Sequence, residues 1–156
     1  MEWIPENPSS DEVWRFLLLH EREFGPPPAE YIQKVLVDHG GVLAARQDNE
    51  LVGVLGYTYG EPSAAFVNKD IFYIYYLLIA NAHRNSVQGI KSLLRALISI
   101  LYSAHALEIR FKAIASNQRA NRFYGRIGKR LYEESNDAGE VCNLYATTLD
   151  NLARLV

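Results

Sequence analysis

The chain has 156 residues, of which 49% are hydrophobic and 22% are charged, and its formal net charge at pH 7 is −2. This length and composition predict one soluble globular domain over residues 1–156, and the small net charge indicates neither nucleic acid nor a membrane surface as a partner. The single cysteine, Cys142, excludes an intrachain disulfide and favours a reducing, cytoplasmic location. No apolar run approaches the ~18 residues of a membrane-spanning helix, and the first residues lack the basic-then-apolar order of a signal peptide.

Two helices and a strand hairpin are predicted in the first part of the chain. Capping residues at positions 9–11 precede an apolar-periodic helix that ends at the Gly-Pro-Pro-Pro sequence of residues 25–28, and a second helix is expected over 29–38. Strands are expected over 42–46 and 51–59, joined by a polar turn. The proline-rich bend has two interpretations, a plain connector or a lip over a substrate pocket.

Residues 71–79 predict a central strand, because apolar side chains occupy both of its faces. A polar loop with Arg84 and Gly89 follows, and then a helix with one apolar stripe. Glycine permits close backbone approach, arginine adds charge and the helix start offers N–H groups, so the stretch favours a phosphate-binding loop. The signatures GxGxxG and GxxxxGK[ST] are absent, and a plain strand–loop–helix connection has the same pattern. Strict alternation along the strand would place Tyr73, Tyr75, Leu77 and Ile79 on one face and Phe72, Ile74, Tyr76 and Leu78 on the other.

The last part of the chain predicts a strand over 107–113, a helix over 118–126 and strands over 129–134 and 141–149. Together the elements predict an α/β (α+β) fold with a mixed central sheet flanked by helices. The segment 110–130 carries basic residues and no acidic one, which fits either a nucleic-acid surface or a solvated helix face; we favour the second. The histidines show no ligand spacing, so no metal is expected.

Residues 117–128, which read NQRANRFYGRIG, resemble a motif of the GNAT acetyltransferase superfamily, N-x-x-A-x-x-F-Y-x-x-x-G. The chain matches every fixed position through Gly128. It departs directly afterwards, where Lys129 replaces the usual aromatic residue. The order of the predicted elements, α-α-β-β-β-α-β-α-β-β, is also similar to that of the family.

The loop after the central strand is similar to the family's pyrophosphate loop, [QR]-x-x-G-x-[GA]. Arg84 and Gly89 match the two ends of this pattern, and Val87 stands where the middle glycine belongs. In a second register, Gly89 takes the middle position and Lys91 the last one, and Ser86 replaces the arginine. We prefer the first register.

The resemblance implies a GNAT-like acyl-coenzyme A N-acyltransferase that transfers acetyl from acetyl-coenzyme A to an amine of a small molecule or protein by direct attack. The pyrophosphate would bind backbone N–H groups at the helix start, and the pantetheine arm would lie against the central strand. A backbone N–H within residues 77–79 would stabilise the oxyanion, and Asn117 would hold the coenzyme's amide arm. The implied cofactor-binding residues are Leu77, Ile79, Arg84, Asn85, Ser86, Val87, Gln88, Gly89, Ile90, Asn117 and Tyr124.

Tyr124 is the implied catalytic residue, since a tyrosine with the ordinary pKa near 10 is protonated at neutral pH and can protonate the leaving thiolate. Its alternative interpretation is a core tyrosine with a satisfied hydroxyl. Candidates for the general base are Glu61, Glu30 and a water held by Tyr73 or Tyr75. Each of these also fits an ordinary surface carboxylate or a packing aromatic residue.

Two functions other than acetyltransferase also fit the sequence. The first is a non-catalytic module of the same fold that binds acyl-coenzyme A or a protein partner, motivated by Val87 and by the unassigned base. The second is a nucleic-acid-associated domain that uses the basic segment. The acceptor and the oligomeric state, a homodimer included, are left open by the sequence.

Overall fold

The computed structural model describes residues 1–21, 28–84, 86–136 and 138–156. Its strands are β1 (Glu2–Glu6), β2 (Gly40–Gln47), β3 (Glu50–Tyr59), β4 (Ile71–Ile79), β5 (Glu108–Ile114), β6 (Lys129–Ser135) and β7 (Val141–Thr147). Its α-helices are α1 (Asp11–Leu19), α2 (Ala29–His39), α3 (Val87–Ala104), α4 (Gln118–Ile127) and α5 (Leu149–Ala153). Short 3₁₀ helices lie at Pro62–Ala64 and Asn81–His83. Of the predicted proline-rich bend, only residue 28 lies within the described residues.

The strands form one seven-stranded sheet in the order β1-β2-β3-β4-β5-β7-β6. Neighbouring strands run antiparallel except β4 and β5, which are parallel. The sheet is therefore mixed, as predicted, and the predicted order of elements is confirmed from α1 to β7. The parallel junction follows from the long helix α3, because parallel neighbours require a crossover connection between them.

Strand β1 and helix α5 were not predicted. β1 pairs with β2 from Glu2 opposite Arg46 to Glu6 opposite Val42, and its Trp3 is only 4% exposed. The backbone N–H of Trp3 also donates to the Ser92 hydroxyl of α3, at 3.3 Å. β1 is thus a short edge strand that joins β2 to the helix following the central strand.

Two apolar layers cover the sheet. On one face α3 and α5 pack through Leu93, Leu97, Leu101 and Leu152 against Phe72, Ile109 and Phe111 of β4 and β5. On the other face α1 and α2 pack through Val13, Leu17, Ile32 and Leu36 against Val42, Val54 and Leu78 of β2, β3 and β4. Because the central strand is covered on both sides, it has apolar side chains on both faces.

The strict alternation predicted for β4 is wrong, because the strand contains an irregularity at Tyr75. Gly56 of β3 lies opposite Tyr76, and the next residue of β3, Tyr57, lies opposite Ile74. One extra residue in β4 reverses the faces that follow it, as a β-bulge does. Phe72, Ile74, Leu77 and Ile79 therefore face the α3 layer, and Tyr75, Tyr76 and Leu78 face the α1–α2 layer.

An ion pair lies beside the point where β4 and β5 pair. The Glu61 side chain is only 10% exposed, and Nη1 of Arg110 lies 2.7 Å from its Oε1. Arg110 also contacts the carboxylate of Glu108, at 3.0 Å, and lies opposite Tyr73 of β4. Glu61 is thus not the ordinary surface carboxylate that the sequence suggested, because Arg110 compensates its charge in a largely buried position.

Arg110→Ala should lower the free energy of unfolding by about 2–3 kcal/mol, because it leaves the Glu61 carboxylate largely buried without its partner. Urea denaturation measures this loss. The matched control is Arg130→Ala, which breaks the exposed Arg130–Glu133 pair, where both side chains are more than half exposed. That change should cost less than ~1 kcal/mol. Equal losses in the two variants would contradict a structural role for the Glu61–Arg110 pair.

Candidate active site

The parallel strands β4 and β5 separate within the sheet. Their paired residues are Ile71 with Glu108, Phe72 with Ile109 and Tyr73 with Arg110. β5 then continues alongside β7 as far as Ile114. Among the described residues, no strand pairs with β4 on the β5 side beyond Tyr73, so a V-shaped gap opens there. The backbone of residues 74–79 borders this gap as an inner strand edge, to which an extended ligand can add.

A cavity of about 660 Å³ occupies this gap on the α3 side of the sheet. Its volume lies within the range of ~300–1,000 Å³ that is usual for small-molecule sites. The cavity brings together many of the residues predicted from the two motifs, which are Leu77, Ile79, Arg84, Gly89, Ile90, Asn117 and Tyr124. Of the other predicted site residues, Ser86, Val87 and Gln88 lie at the start of α3 and do not line the cavity, and Asn85 lies outside the described residues.

Arg84 is anchored at the end of β4. Its Nε donates a hydrogen bond to the carbonyl oxygen of Ile79 at 2.7 Å. This bond holds the side chain at the mouth of the cavity, and a guanidinium carries five N–H donors in all. The bond also engages the Ile79 carbonyl, one of the backbone groups expected to bind the pantetheine arm.

The start of α3 is capped by its own serine. The Ser86 hydroxyl accepts a bond from the Gly89 N–H at 2.9 Å, and the Ser86 carbonyl accepts one from Ile90 at 3.1 Å. The Ser86 N–H itself donates to the His83 carbonyl at 3.3 Å, so three of the predicted pyrophosphate donors are already engaged. No described residue accepts a bond from the N–H groups of Val87 and Gln88, and these two groups stand at the positive end of the helix dipole.

Gly89 is buried, and the side chain of Met1, the residue before β1, packs where a side chain at position 89 would lie. A Cβ atom at this position would collide with the terminal methyl group of Met1 and lie 3.2 Å from the Ser86 Cβ. The glycine therefore permits close packing of the amino-terminal residues against α3, in addition to any approach of a ligand.

Helix α4 forms the opposite wall of the cavity. Asn117 caps this helix, since its Oδ1 accepts the Ala120 N–H at 3.1 Å, while no described residue accepts a bond from its amide nitrogen. Arg119, Arg122 and Arg126 line the same cavity. These arginines give its rim a positive charge that suits an anionic ligand.

Asn121, which was not among the predicted site residues, holds α4 on the sheet. Its Oδ1 accepts bonds from the Asn143 amide at 2.8 Å and from the Tyr145 hydroxyl at 2.7 Å. Its amide nitrogen donates to the carbonyl oxygens of Asn117 at 2.7 Å and Ile114 at 2.9 Å. The available signal was a polar residue next to the apolar positions of the α4 motif, because a half-buried amide requires hydrogen-bond partners.

Tyr124 lies between aromatic rings deep in the cavity. Its ring centroid is 4.7 Å from that of Phe111 and 5.7 Å from that of Tyr145. Burial raises the pKa of Tyr124 above its ordinary value, because the phenolate would lose its hydration. No described residue forms a hydrogen bond with its hydroxyl. Tyr124 is thus a protonated donor at neutral pH whose hydrogen bond is available to a ligand.

The predicted base candidates differ in their surroundings. Glu61 is engaged by Arg110, and Glu30 is exposed on α2. Burial first, and then the nearby charges of Glu134 and Glu61, raise the pKa of Tyr73 far above its usual range.

Among the described residues, no group of three or more His, Cys, Asp or Glu side chains is placed to hold a metal ion. None of the described helices is long and apolar enough to span a bilayer.

Comparison with known proteins identifies the family. The family described as acetyltransferase (GNAT) matches residues 8–129, which is most of the chain, so the chain belongs to the GNAT acetyltransferase family. The resemblance read from the two motifs is thereby confirmed. No curated protein sequence matches the chain.

Solved structures share the fold across nearly the whole chain. The ribosomal-protein-S18-alanine N-acetyltransferase from Escherichia coli superposes with a TM-score of 0.71 and 13% identity over 94% of this chain and 94% of that chain. The spermidine N-acetyltransferase from Vibrio cholerae, as a Phe-to-Ala mutant, has a TM-score of 0.72 and 12% identity over 97% of both chains. A GNAT family acetyltransferase from Elizabethkingia anophelis with acetyl-CoA bound has a TM-score of 0.66 and 15% identity over 94% and 96%. At these identities the likeness establishes the fold alone.

Asn121→Ala should lower the free energy of unfolding by about 2–3 kcal/mol, because it removes the partners of the Tyr145 hydroxyl and the Asn143 amide, both largely buried. Urea denaturation checks this value. Arg122→Ala, at the next and exposed position of α4, is the matched control and should change stability by less than ~0.5 kcal/mol. If the two variants were equally stable, Asn121 would not be holding the helix.

Proposed function

We propose that this protein transfers an acyl group, acetyl in the simplest case, from acyl-coenzyme A to an amine by direct attack. The observation that carries the proposal is the V-shaped gap between β4 and β5, whose walls hold the residues of both sequence motifs. Membership of the GNAT family supports the use of acetyl-coenzyme A.

In this proposal the coenzyme lies in the cavity with its pyrophosphate at the start of α3. The N–H groups of Val87 and Gln88 and the guanidinium of Arg84 bind the phosphates, with Asn85 and Ser86 completing the loop. Gly89 and Ile90 form the helix surface beside them. The arginines on the α4 rim draw the anionic coenzyme toward the cavity.

The pantetheine arm adds to the inner edge of β4 like a further strand. Leu77 and Ile79 contribute through their backbone, and the amide of Asn117 holds the arm from the opposite wall. A backbone N–H within residues 77–79 stabilises the oxyanion that develops on the thioester carbonyl. The irregularity at Tyr75 supports this role, because bulges commonly re-aim backbone groups beside active sites.

The transfer forms one N–C bond and breaks one C–S bond. The amine nitrogen attacks the thioester carbonyl and loses one proton, and the departing thiolate takes one proton from the Tyr124 hydroxyl. The raised pKa of Tyr124 keeps that proton in place until the thiolate forms. Glu61 is a poor candidate for the base because Arg110 already binds its carboxylate, so we assign the amine's proton to solvent water on the α1–α2 face.

A screen for thiol release tests the function. Acetyl-coenzyme A is incubated with the protein and a panel of small amines and peptides. For at least one acceptor, we expect free coenzyme A thiol to be released faster than in the absence of amine.

The second candidate function is a non-catalytic binding module, which the replacement of the loop glycine by Val87 favours. A rise in melting temperature with acetyl-coenzyme A, together with no acylation across the panel, would support the module. No shift at millimolar ligand would contradict both.

Tyr124→Phe should lower kcat roughly 100-fold and leave the affinity for coenzyme A nearly unchanged. The substitution keeps the ring packing and removes only the proton donated in the transition state, and we expect the lower end of the usual range because a thiolate is already a fair leaving group. Steady-state kinetics with a confirmed acceptor and calorimetry with coenzyme A measure the two effects. Tyr132→Phe, on β6 and outside the cavity lining, is the control. A wild-type rate in Tyr124→Phe would make Tyr124 a packing residue.

A further inference from the structure

The face of the sheet opposite α3 is only partly covered by helices. α1 and α2 pack there against β2, β3 and β4, and among the described residues the apolar cluster beneath them includes none from β5, β6 or β7. Phe111 packs on α4, so its neighbours Arg110 and Lys112 face the uncovered side. On this face β5, β7 and β6 form an open shelf beside the gap, where the proposed function places the amine.

Glu134 of β6 lies on this shelf as a carboxylate without a hydrogen-bond donor. The strand register places it on the same face as Lys112, whose Nζ is 3.8 Å from its Oε1. This separation is too long for a hydrogen bond, and no residue in the described ranges donates one to the carboxylate. The side chain is only 27% exposed. A carboxylate that has lost much of its hydration favours an added cationic donor.

Tyr73 contributes a second polar group without a partner, at the edge of the gap. It is the last residue of β4 that pairs with β5, lies opposite Arg110 and is 4% exposed. Its hydroxyl forms no hydrogen bond within the part of the chain that the structure describes. After burial, the charge of Glu134 is the next cause of the raised pKa of Tyr73, so the two side chains lie near each other.

The ion pairs of the shelf include more carboxylates than cations. Arg110 serves two carboxylates, Glu61 at 2.7 Å and Glu108 at 3.0 Å. Lys112 and Glu134 form the remaining pair. Three carboxylates are thus paired with two cations, which leaves one negative charge in excess. A cationic ligand is therefore favoured over an anionic one on this surface.

We propose that the acceptor is an aliphatic diamine or polyamine, whose second ammonium group binds the Glu134 carboxylate beside Tyr73 while its reacting amine enters the gap. This inference rests on the proposed function and specifies the acceptor class. The carboxylate suits the distal group, because a carboxylate beside the reacting nitrogen would favour its protonated, unreactive form.

The spacing of the strands requires a chain between the two nitrogens. β6 is two strand spacings from β5, or ~10 Å between backbones, and the side chain of Glu134 covers part of this distance toward Lys112. An ammonium group at Glu134 and an amine in the gap are therefore separated by several ångströms. A linker of a few carbon atoms spans that distance, whereas ammonia or methylamine does not.

Acetylation of three matched amines by the full chain tests the acceptor class. Diaminobutane, butylamine and γ-aminobutyrate share a reacting amine on a short chain and end in an ammonium, a methyl and a carboxylate group. With kcat/KM expressed per unprotonated amine, diaminobutane should exceed butylamine roughly tenfold or more, beyond the factor of ~2 that two equivalent amines supply. γ-Aminobutyrate should be the poorest acceptor.

A ratio of diaminobutane to butylamine of about 2 or less overturns the acceptor inference and leaves the proposed function intact. Acetylation confined to acceptors without a second cation does the same. Absence of acetylation for every amine, in this set and in the wider panel, overturns both.

Substitutions of Glu134 test the site itself. Glu134→Gln keeps the shape and removes the charge, so the ratio of diaminobutane to butylamine should fall to about 2. Glu134→Lys should reverse the preference and make γ-aminobutyrate a better acceptor than diaminobutane. The matched control is Glu133→Gln, on the opposite face of the same strand, where the carboxylate pairs with Arg130. This control should keep the wild-type ratio.

Ratios within each variant cancel any general loss of activity, and melting curves without ligand verify that each variant is folded. If the ratio in folded Glu134→Gln stays at the wild-type value, Glu134 does not bind the distal ammonium and the proposal is overturned. An equal fall for butylamine and diaminobutane has the same meaning, because it would place Glu134 at the reacting nitrogen.

Discussion

The separation of β4 from β5 after Tyr73 and Arg110 is the constraint on which the rest of the molecule depends. Two parallel strands that stayed paired to their ends would leave no inner edge and no cavity. The irregularity at Tyr75 and the ion pair of Arg110 with Glu61 lie at the point of separation. Both favour the divergence, because a bulge bends its strand and the ion pair secures β5 at the last paired residue.

The two walls of the gap are held in different ways. α3 is fixed by hydrophobic burial of a leucine stripe and, in its first turns, by its contact with β1. α4 has no fully buried side chain, and the four hydrogen bonds of Asn121 connect it to its own cap and to the sheet. Hydrogen bonds are directional, whereas apolar contacts tolerate sliding, so Asn121 sets the position of Tyr124 more precisely than packing alone would.

Much of the fold was predictable because its main elements carry strong local patterns. The strand at 71–79, apolar on both faces, predicted the centre of the sheet, and the leucine stripe of α3 predicted the crossover helix. The α4 motif predicted the helix that forms the second wall of the cavity. β1 was not predicted because a proline and two glutamates in five residues are typical of a loop. These residues form a strand only through their pairing with β2. The partnership of Glu61 with Arg110, 49 residues away, and the face reversal at Tyr75 depend on tertiary contacts that no local pattern records. The same holds for the packing of Met1 on Gly89.

The outer edges of the sheet carry features that resist association with other chains. β1 presents Pro5 and two glutamates, and β6 has two basic residues at its start and two glutamates near its end, so neither edge is a good template for strand addition. The inner edge of β4 has apolar side chains and, within the described part of the chain, no partner strand, but it lies between α3 and α4, where another sheet cannot enter. A slender extended ligand can enter. Ligand binding and aggregation both use the free hydrogen-bonding groups of a strand edge. In this fold such an edge is accessible to a ligand inside the gap, whereas the outer edges of the sheet are protected against pairing with other chains.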